Sequence, residues 1–158
     1  MIFNKTLEKL EEEFNDLKYQ LNVVIPKDLR NAAEWGDLKE NAEYAAAKDR
    51  KYLTESRLAQ ISERIRILRS IDINEIPKEG VGLGSIVTLE DTDNGRKVTY
   101  ELTLSDNVDV DAGKISIQAP IGRALISKKV NDEVTVVLPA GKKEYLIVKL
   151  TTIHQREF

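Results

Sequence analysis

The sequence predicts an α+β protein of two domains: an N-terminal antiparallel α-helical coiled-coil hairpin, then a C-terminal antiparallel sheet with one short helix. Three observations predict it. Apolar residues recur at alternating spacings of three and four over most of the first 68 residues. That stripe is interrupted near its middle by an acidic segment containing a glycine. Beyond residue 85 the pattern changes to short β-branched runs separated by turn residues. The implied division is 1–76 for the hairpin with its tip at 36–43, 77–84 for a linker, and 85–158 for the second domain.

The first arm is the strongest signal. Phe3, Leu7, Leu10, Phe14, Leu17, Leu21 and Val24 form a heptad seam, with Glu8, Lys9, Glu11, Glu12, Glu13 and Lys18 on a solvated face. Pro26 lacks the amide a helix interior uses, so a kink or a one-turn interruption is expected there. Leu29, Ala32 and Ala33 resume the stripe up to Gly36, which can end the helix. The return arm is expected to start at Asp37. Its stripe runs through Tyr44, Ala47, Lys51, Thr54, Leu58, Ile61, Ile65 and Leu68, with small residues near the tip and larger ones near the base. Two such arms joined by a short connection are antiparallel neighbours. With ~30 residues per arm at about 1.5 Å each, the rod is roughly 45 Å long.

Pro77 and the glycines at 80, 82 and 84 read as a flexible connection. Strands are expected at Ile86–Leu89, Val98–Leu104, Ile115–Ile117, Val134–Leu138 and Tyr145–Leu150, with an Asn94-Gly95 hairpin turn. Pro120 opens a helix expected to reach Ser127, at a position where its missing amide does no harm.

Composition narrows the chemistry. The chain of 158 residues is 41% hydrophobic and 32% charged, a globular balance. With no cysteine and one histidine, His154, disulfides, thiol catalysis and a Cys/His zinc site are excluded. Residues 1–75 hold 13 basic and 15 acidic side chains (net −2), and residues 76–158 hold 11 and 12 (net −1). Neither half is a polycation, so any nucleic-acid contact is local. No apolar run approaches the ~20 residues that span a membrane, and no secretory signal opens the chain. A cytoplasmic protein is the expectation, and His154 reads as incidental.

The tip carries the candidate chemistry. Glu34-Trp35-Gly36-Asp37-Leu38-Lys39-Glu40-Asn41-Ala42-Glu43-Tyr44 holds four carboxylates and the only tryptophan. On a first helical turn, Asp37 and Glu40 would share one face. Two exposed carboxylates make a poor private Mg²⁺ site. They become useful where another protein already holds one Mg²⁺, completing a two-metal arrangement for phosphodiester hydrolysis. The same Asp-x-x-Glu pattern is also a capping box, with Asp37 as N-cap, and the two roles are compatible. Trp35 either stacks on a base or wedges on a partner, or closes the hairpin end against Leu38 and Ala42. Lys48 and Lys51, with Arg50 beside them, either hold an RNA phosphate or form a solvated helix face.

Two stretches carry a resemblance. Gly36 to Tyr44, with Ala46-Ala47-Lys48, closely resembles the signature of the Gre family of bacterial transcript-cleavage factors, GreA type. Ile115-Ser116-Ile117-Gln118-Ala119-Pro120-Ile121-Gly122-Arg123-Ala124-Leu125-Ile126 is similar to that family's second motif. The resemblance covers nearly the whole chain. It implies an FKBP-like second domain without isomerase activity, which docks at the rim of the RNA polymerase secondary channel. The hairpin would enter the channel and stimulate the polymerase to cleave the 3′ end of backtracked nascent RNA. No independent enzyme activity and a monomer are implied. Asp37 and Glu40 map to the catalytic tip acids, sharing Mg²⁺ with the polymerase and positioning water; no cofactor would be held stably alone. Lys48, with Lys51, maps to the RNA-binding patch, and Pro120, Ile121, Gly122 and Arg123 to the polymerase contact. Trp35, Ala33, Ala119 and Ser127 depart from the family pattern. A Gre-shaped channel inhibitor and a coiled-coil scaffold are the competing readings.

Overall fold

The computed structural model describes residues 3–36 and 41–157. The chain forms two compact units, Met1–Ile71 and Asp72–Phe158.

The first unit is a helical hairpin. Helix α1 (Asn4–Tyr19) passes through a π-helical turn, Gln20–Val24, into α2 (Ile25–Ala33), and all three pack against α3 (Ala42–Ser70). Pro26 therefore does not break the arm. Its ring excludes a normal hydrogen bond one turn back, and the wider π turn just before it absorbs the mismatch. The Ile25 N–H donates to Gln20 C=O, five residues away. One extra residue in the turn shifts the seam by one position. Ile25 is 2% exposed, whereas Val24, expected in the seam, is only half-buried. Leu7, Ile25 and Ala32 face the α3 residues Ala47, Ile61, Ile65 and Leu68 as the buried core of the hairpin. Lys51, expected in the α3 stripe, is exposed.

Ion pairs that cross between the arms include Arg50–Asp28 (2.9 Å), Arg57–Glu13 (2.8 Å) and Arg69–Glu11. Arg57 grips both oxygens of Glu13, which raises the guanidinium pKa above its ordinary value. Exposed pairs of this kind contribute about 0.2–1 kcal/mol each, so they set register more than stability.

The second unit is built on a five-stranded sheet, with β3 and β4 (Lys114–Ser116 and Glu133–Leu138) at its edges and β2 (Lys97–Thr103), β1 (Ile86–Asp91) and β5 (Gly141–Thr151) between them in that order from β3. The sheet is mixed rather than wholly antiparallel, because β3 runs parallel to β2, with Glu101, Leu102 and Thr103 opposite Lys114, Ile115 and Ser116. The connection between them supplies the reason. It carries the chain through a short 3₁₀ turn (Ser105–Asn107) and then Asp109, which bridges back to Lys114 at the start of β3.

One face of the sheet is buried. Val87, Leu89, Leu102, Ile115, Val134, Val136, Tyr145 and Ile147 form its core with Leu125 and Val81. Residues 77–84, expected to be a linker, are built into this unit. Val81 is fully buried, donates its N–H to Lys128 C=O and accepts from the Ser127 N–H. Helix α4 (Pro120–Leu125) is shorter than expected and ends before Ser127, whose φ is +66°. His154 is structural, its Nε2 lying 2.9 Å from Ile76 C=O.

Candidate functional site

The hairpin tip is built by how two helices end. At the last turn of α2, the Glu34 N–H donates to Arg30 C=O (3.3 Å) and the Trp35 N–H to Ala32 C=O (3.2 Å). Gly36 follows at φ +116°, a conformation that other residues rarely adopt, and the chain turns. Asp37 and Glu40, with Leu38 and Lys39 between them, lie outside the described residues. The chain re-enters at Asn41, whose extended backbone (φ −86°, ψ 101°) stands directly before α3.

Asn41, not Asp37, is the N-cap of α3. Its Oδ1 accepts from the Tyr44 N–H at 3.0 Å, satisfying one of the donors left over at a helix start. Its Nδ2 donates to Ala32 C=O at 2.5 Å, reaching across to the end of α2. The return helix accordingly begins at Ala42 and not at the expected Asp37. Sequence reasoning passed over Asn41, although the signal was present: asparagine is among the strongest N-caps, and a helix-forming alanine run follows it.

Below this neck the arms are close. Ala32 and Ala47 are 3% and 1% exposed, small side chains that let α2 and α3 approach. An open groove of about 440 Å³ lies beside them, lined by Asp28, Asn31, Ala32, Glu43, Ala46 and Arg50. Glu34 and Glu43 are exposed. Trp35 is 80% exposed, so it does not close the hairpin end; the Asn41 bridge does that.

Lys48 and Lys51 stand three apart on the exposed surface of α3, with Lys48 Nζ 5.6 Å from the Tyr44 ring centroid. Their neighbour Arg50 is paired with Asp28 and does not join them as an unpaired charge. Among the described residues, no three acidic, histidine or cysteine side chains converge as a metal site, and no helix is long and apolar enough to cross a membrane.

In the second unit, Pro120 and Arg123 are exposed on α4, Ile121 is half-buried and Gly122 is buried. A Cβ on Gly122 would stand 2.1 Å from Ser116 C=O, so only glycine lets α4 sit against the end of β3. Arg123 Nε donates to Gln118 C=O at 2.6 Å, fixing the guanidinium beside the segment. This surface and the hairpin tip belong to different units.

The structure thus defines a two-unit protein, a helical hairpin with an acid-rich sequence between its arms and a small mixed-sheet unit. Residues 1–69 match the family described as "Transcription elongation factor, N-terminal", and residues 76–152 match "Transcription elongation factor, GreA/GreB, C-term". The chain belongs to the GreA/GreB family and is a transcription elongation factor of the Gre type. Transcription elongation factor GreA of Pelobacter propionicus is 39% identical over 149 residues, covering 92% of each chain. That of Pseudomonas aeruginosa is 40% identical over 145 residues, covering 91% of this chain and 92% of its own. Among solved structures, GreA factor homolog 1 (Gfh1) of Thermus thermophilus covers 92% of this chain and 94% of its own, at 28% identity and a TM-score of 0.43. The prokaryotic transcription elongation factor GreA/GreB from Nitrosomonas europaea covers 52% of this chain and 69% of its own, at 31% identity and a TM-score of 0.43.

Proposed function

We propose that this protein enters the secondary channel of bacterial RNA polymerase and stimulates the polymerase to cleave the 3′ end of backtracked RNA, rescuing arrested complexes. The observation that carries this reading is the neck of the hairpin: Asn41 bonds Ala32 where α2 ends and α3 begins, and the short segment of sequence between them carries both carboxylates. Such a segment suits delivery of acids into a site owned by another protein. Two carboxylates are hard oxygen donors suited to Mg²⁺ but too few to hold it well alone. Asp37 and Glu40 would therefore hold Mg²⁺ together with the polymerase. Mg²⁺ bound there supplies charge neutralisation and a more acidic water.

The chain's own residues do the remaining work. The arm sets the reach of the tip, and the carboxylates orient the attacking water by accepting its hydrogen bonds. Lys48 and Lys51, exposed on one stretch of α3, hold an RNA phosphate behind the tip. Pro120, Ile121, Gly122 and Arg123 form the contact that docks the second unit on the polymerase. The factor acts as a monomer in the cytoplasm, and the polymerase remains the enzyme.

The test uses stalled polymerase complexes carrying labelled RNA. Wild type is expected to release short 3′ fragments. Asp37→Ala and Glu40→Ala are expected to lose cleavage while still binding polymerase. Undiminished cleavage by both variants would reject the tip mechanism, and suppression of cleavage by wild type would mark a channel inhibitor instead.

A further inference from the structure

We infer that Tyr52 is a base-stacking residue: its ring takes one base of the single-stranded RNA whose adjoining phosphate Lys48 holds. The inference rests on the proposed entry into the polymerase channel and adds to it an aromatic contact that a basic patch alone does not supply. Tyr44, Lys48 and Tyr52 stand four apart in sequence on α3, so they form one ridge inclined along the helix. The ridge lies away from the other arm. Ala47, Ile61, Ile65 and Leu68 make the buried side of α3, whereas Lys48, Lys51 and Tyr52 are exposed.

Each member of the ridge has its own part. Tyr44 is half-buried, and the Lys48 ammonium stands 5.6 Å from its ring centroid. That contact steadies a flexible cation and leaves its N–H donors for a phosphate. Tyr52 is 70% exposed, so most of its ring is open. A π-face for a base beside a positive charge for the backbone is the pairing that single-strand binding uses. Tyr44 and Tyr52 are eight residues apart, about 12 Å of helix rise, too far to sandwich one base. Lys48 and Tyr52 are one turn apart, about 6 Å, which suits a phosphate and a base of adjoining nucleotides. The charges bound the contact. Arg50 and Arg57 are paired with Asp28 and Glu13, and Glu55, exposed one turn beyond Tyr52, repels a phosphate there. Glu43 and Asp49, also exposed, do the same on the flank. Stacking is indifferent to which base arrives, as a factor serving transcripts of any sequence requires.

The experiment uses the full chain and stalled polymerase complexes whose extruded RNA carries normal or abasic nucleotides. An abasic nucleotide removes the base and keeps the phosphate. Binding is read as the half-saturating protein concentration, with cleavage followed in parallel. On normal RNA, Tyr52→Ala and Tyr52→Leu are expected to raise that concentration on the order of tenfold, and Tyr52→Phe to match wild type. On abasic RNA, wild type is expected to bind no better than Tyr52→Ala, and that variant to lose nothing further. Lys48→Ala is expected to weaken binding to both RNAs, because both keep the phosphate. Tyr52→Leu binding as tightly as wild type would overturn the inference and mark an apolar contact with the polymerase itself. Equal binding of wild type to normal and abasic RNA would overturn it too. So would melting temperatures of the free variants that fall in step with their binding, since the role would then be structural. If wild type binds without stimulating cleavage, the cleavage reading fails, while the base dependence of binding still decides this one.

Discussion

Ser127 sits at φ +66°, where an L side chain crowds its own backbone and glycine does not. The position is dictated by its neighbours: its N–H must reach Val81 C=O, and Gly80 packs against its backbone. Ser127→Gly is therefore expected to stabilise the second unit by about 1 kcal/mol, read as a higher urea midpoint with unchanged slope. Asp91 gives the pH-dependent case. Its carboxylate accepts from the Asp93 N–H at 2.9 Å, and this bond is the main cause of a pKa below the ordinary aspartate value; burial opposes it and Lys143 assists. A depressed folded-state pKa contributes stability at pH above the unfolded value, and that contribution disappears as pH falls through the folded one. Asp91→Asn is thus expected to be less stable than wild type at pH 7. The difference should shrink as the buffer is taken below pH ~4, measured by thermal melts across the range.

At the scale of elements, the seam of the first arm tests how periodicity is read. Counting by threes and fours carries the stripe to Val24, yet the fully buried residue is Ile25. Pro26 announces a disturbance, but its form, a π turn that inserts one residue, depends on how the arm packs on α3 and is not encoded in any local pattern. Ile25→Ala is expected to cost about 2–4 kcal/mol of hairpin stability, and Val24→Ala less than about 1 kcal/mol. Circular dichroism melts of the two variants check the register; equal losses would restore the unshifted seam.

The start of α3 shows the same limit. The Asp-x-x-Glu pattern reads as a cap, but the residue directly before α3 is Asn41, whose side chain caps the helix and also bonds across to α2; Asp37 and Glu40 lie outside the described residues. The parallel pairing of β2 with β3 was hidden for a related reason, since strand direction follows from the path of the intervening loop. What alternation and turn residues did reveal were the strands themselves, because Val87, Leu89, Val134, Val136 and Ile147 must all face one core.

For the whole molecule, the decisive fact is that the acids and the proposed docking surface belong to different units, divided between Ile71 and Asp72. Each unit has buried residues of its own, Ile25, Ile61 and Leu68 in one and Leu89, Leu102 and Ile147 in the other. All five strands, α4 and the buried Val81 lie in residues 72–158, so this fragment retains a complete sheet core. Binding and cleavage should therefore separate along the chain. Residues 72–158 expressed alone are expected to unfold cooperatively in urea and to compete with the full chain for polymerase, yet to release no RNA fragments from stalled complexes. The measurement is inhibition of full-chain cleavage by rising fragment concentration. A folded fragment that fails to compete would shift the docking role from Pro120–Arg123 to the hairpin, and a fragment that cleaves would remove the need for the tip acids.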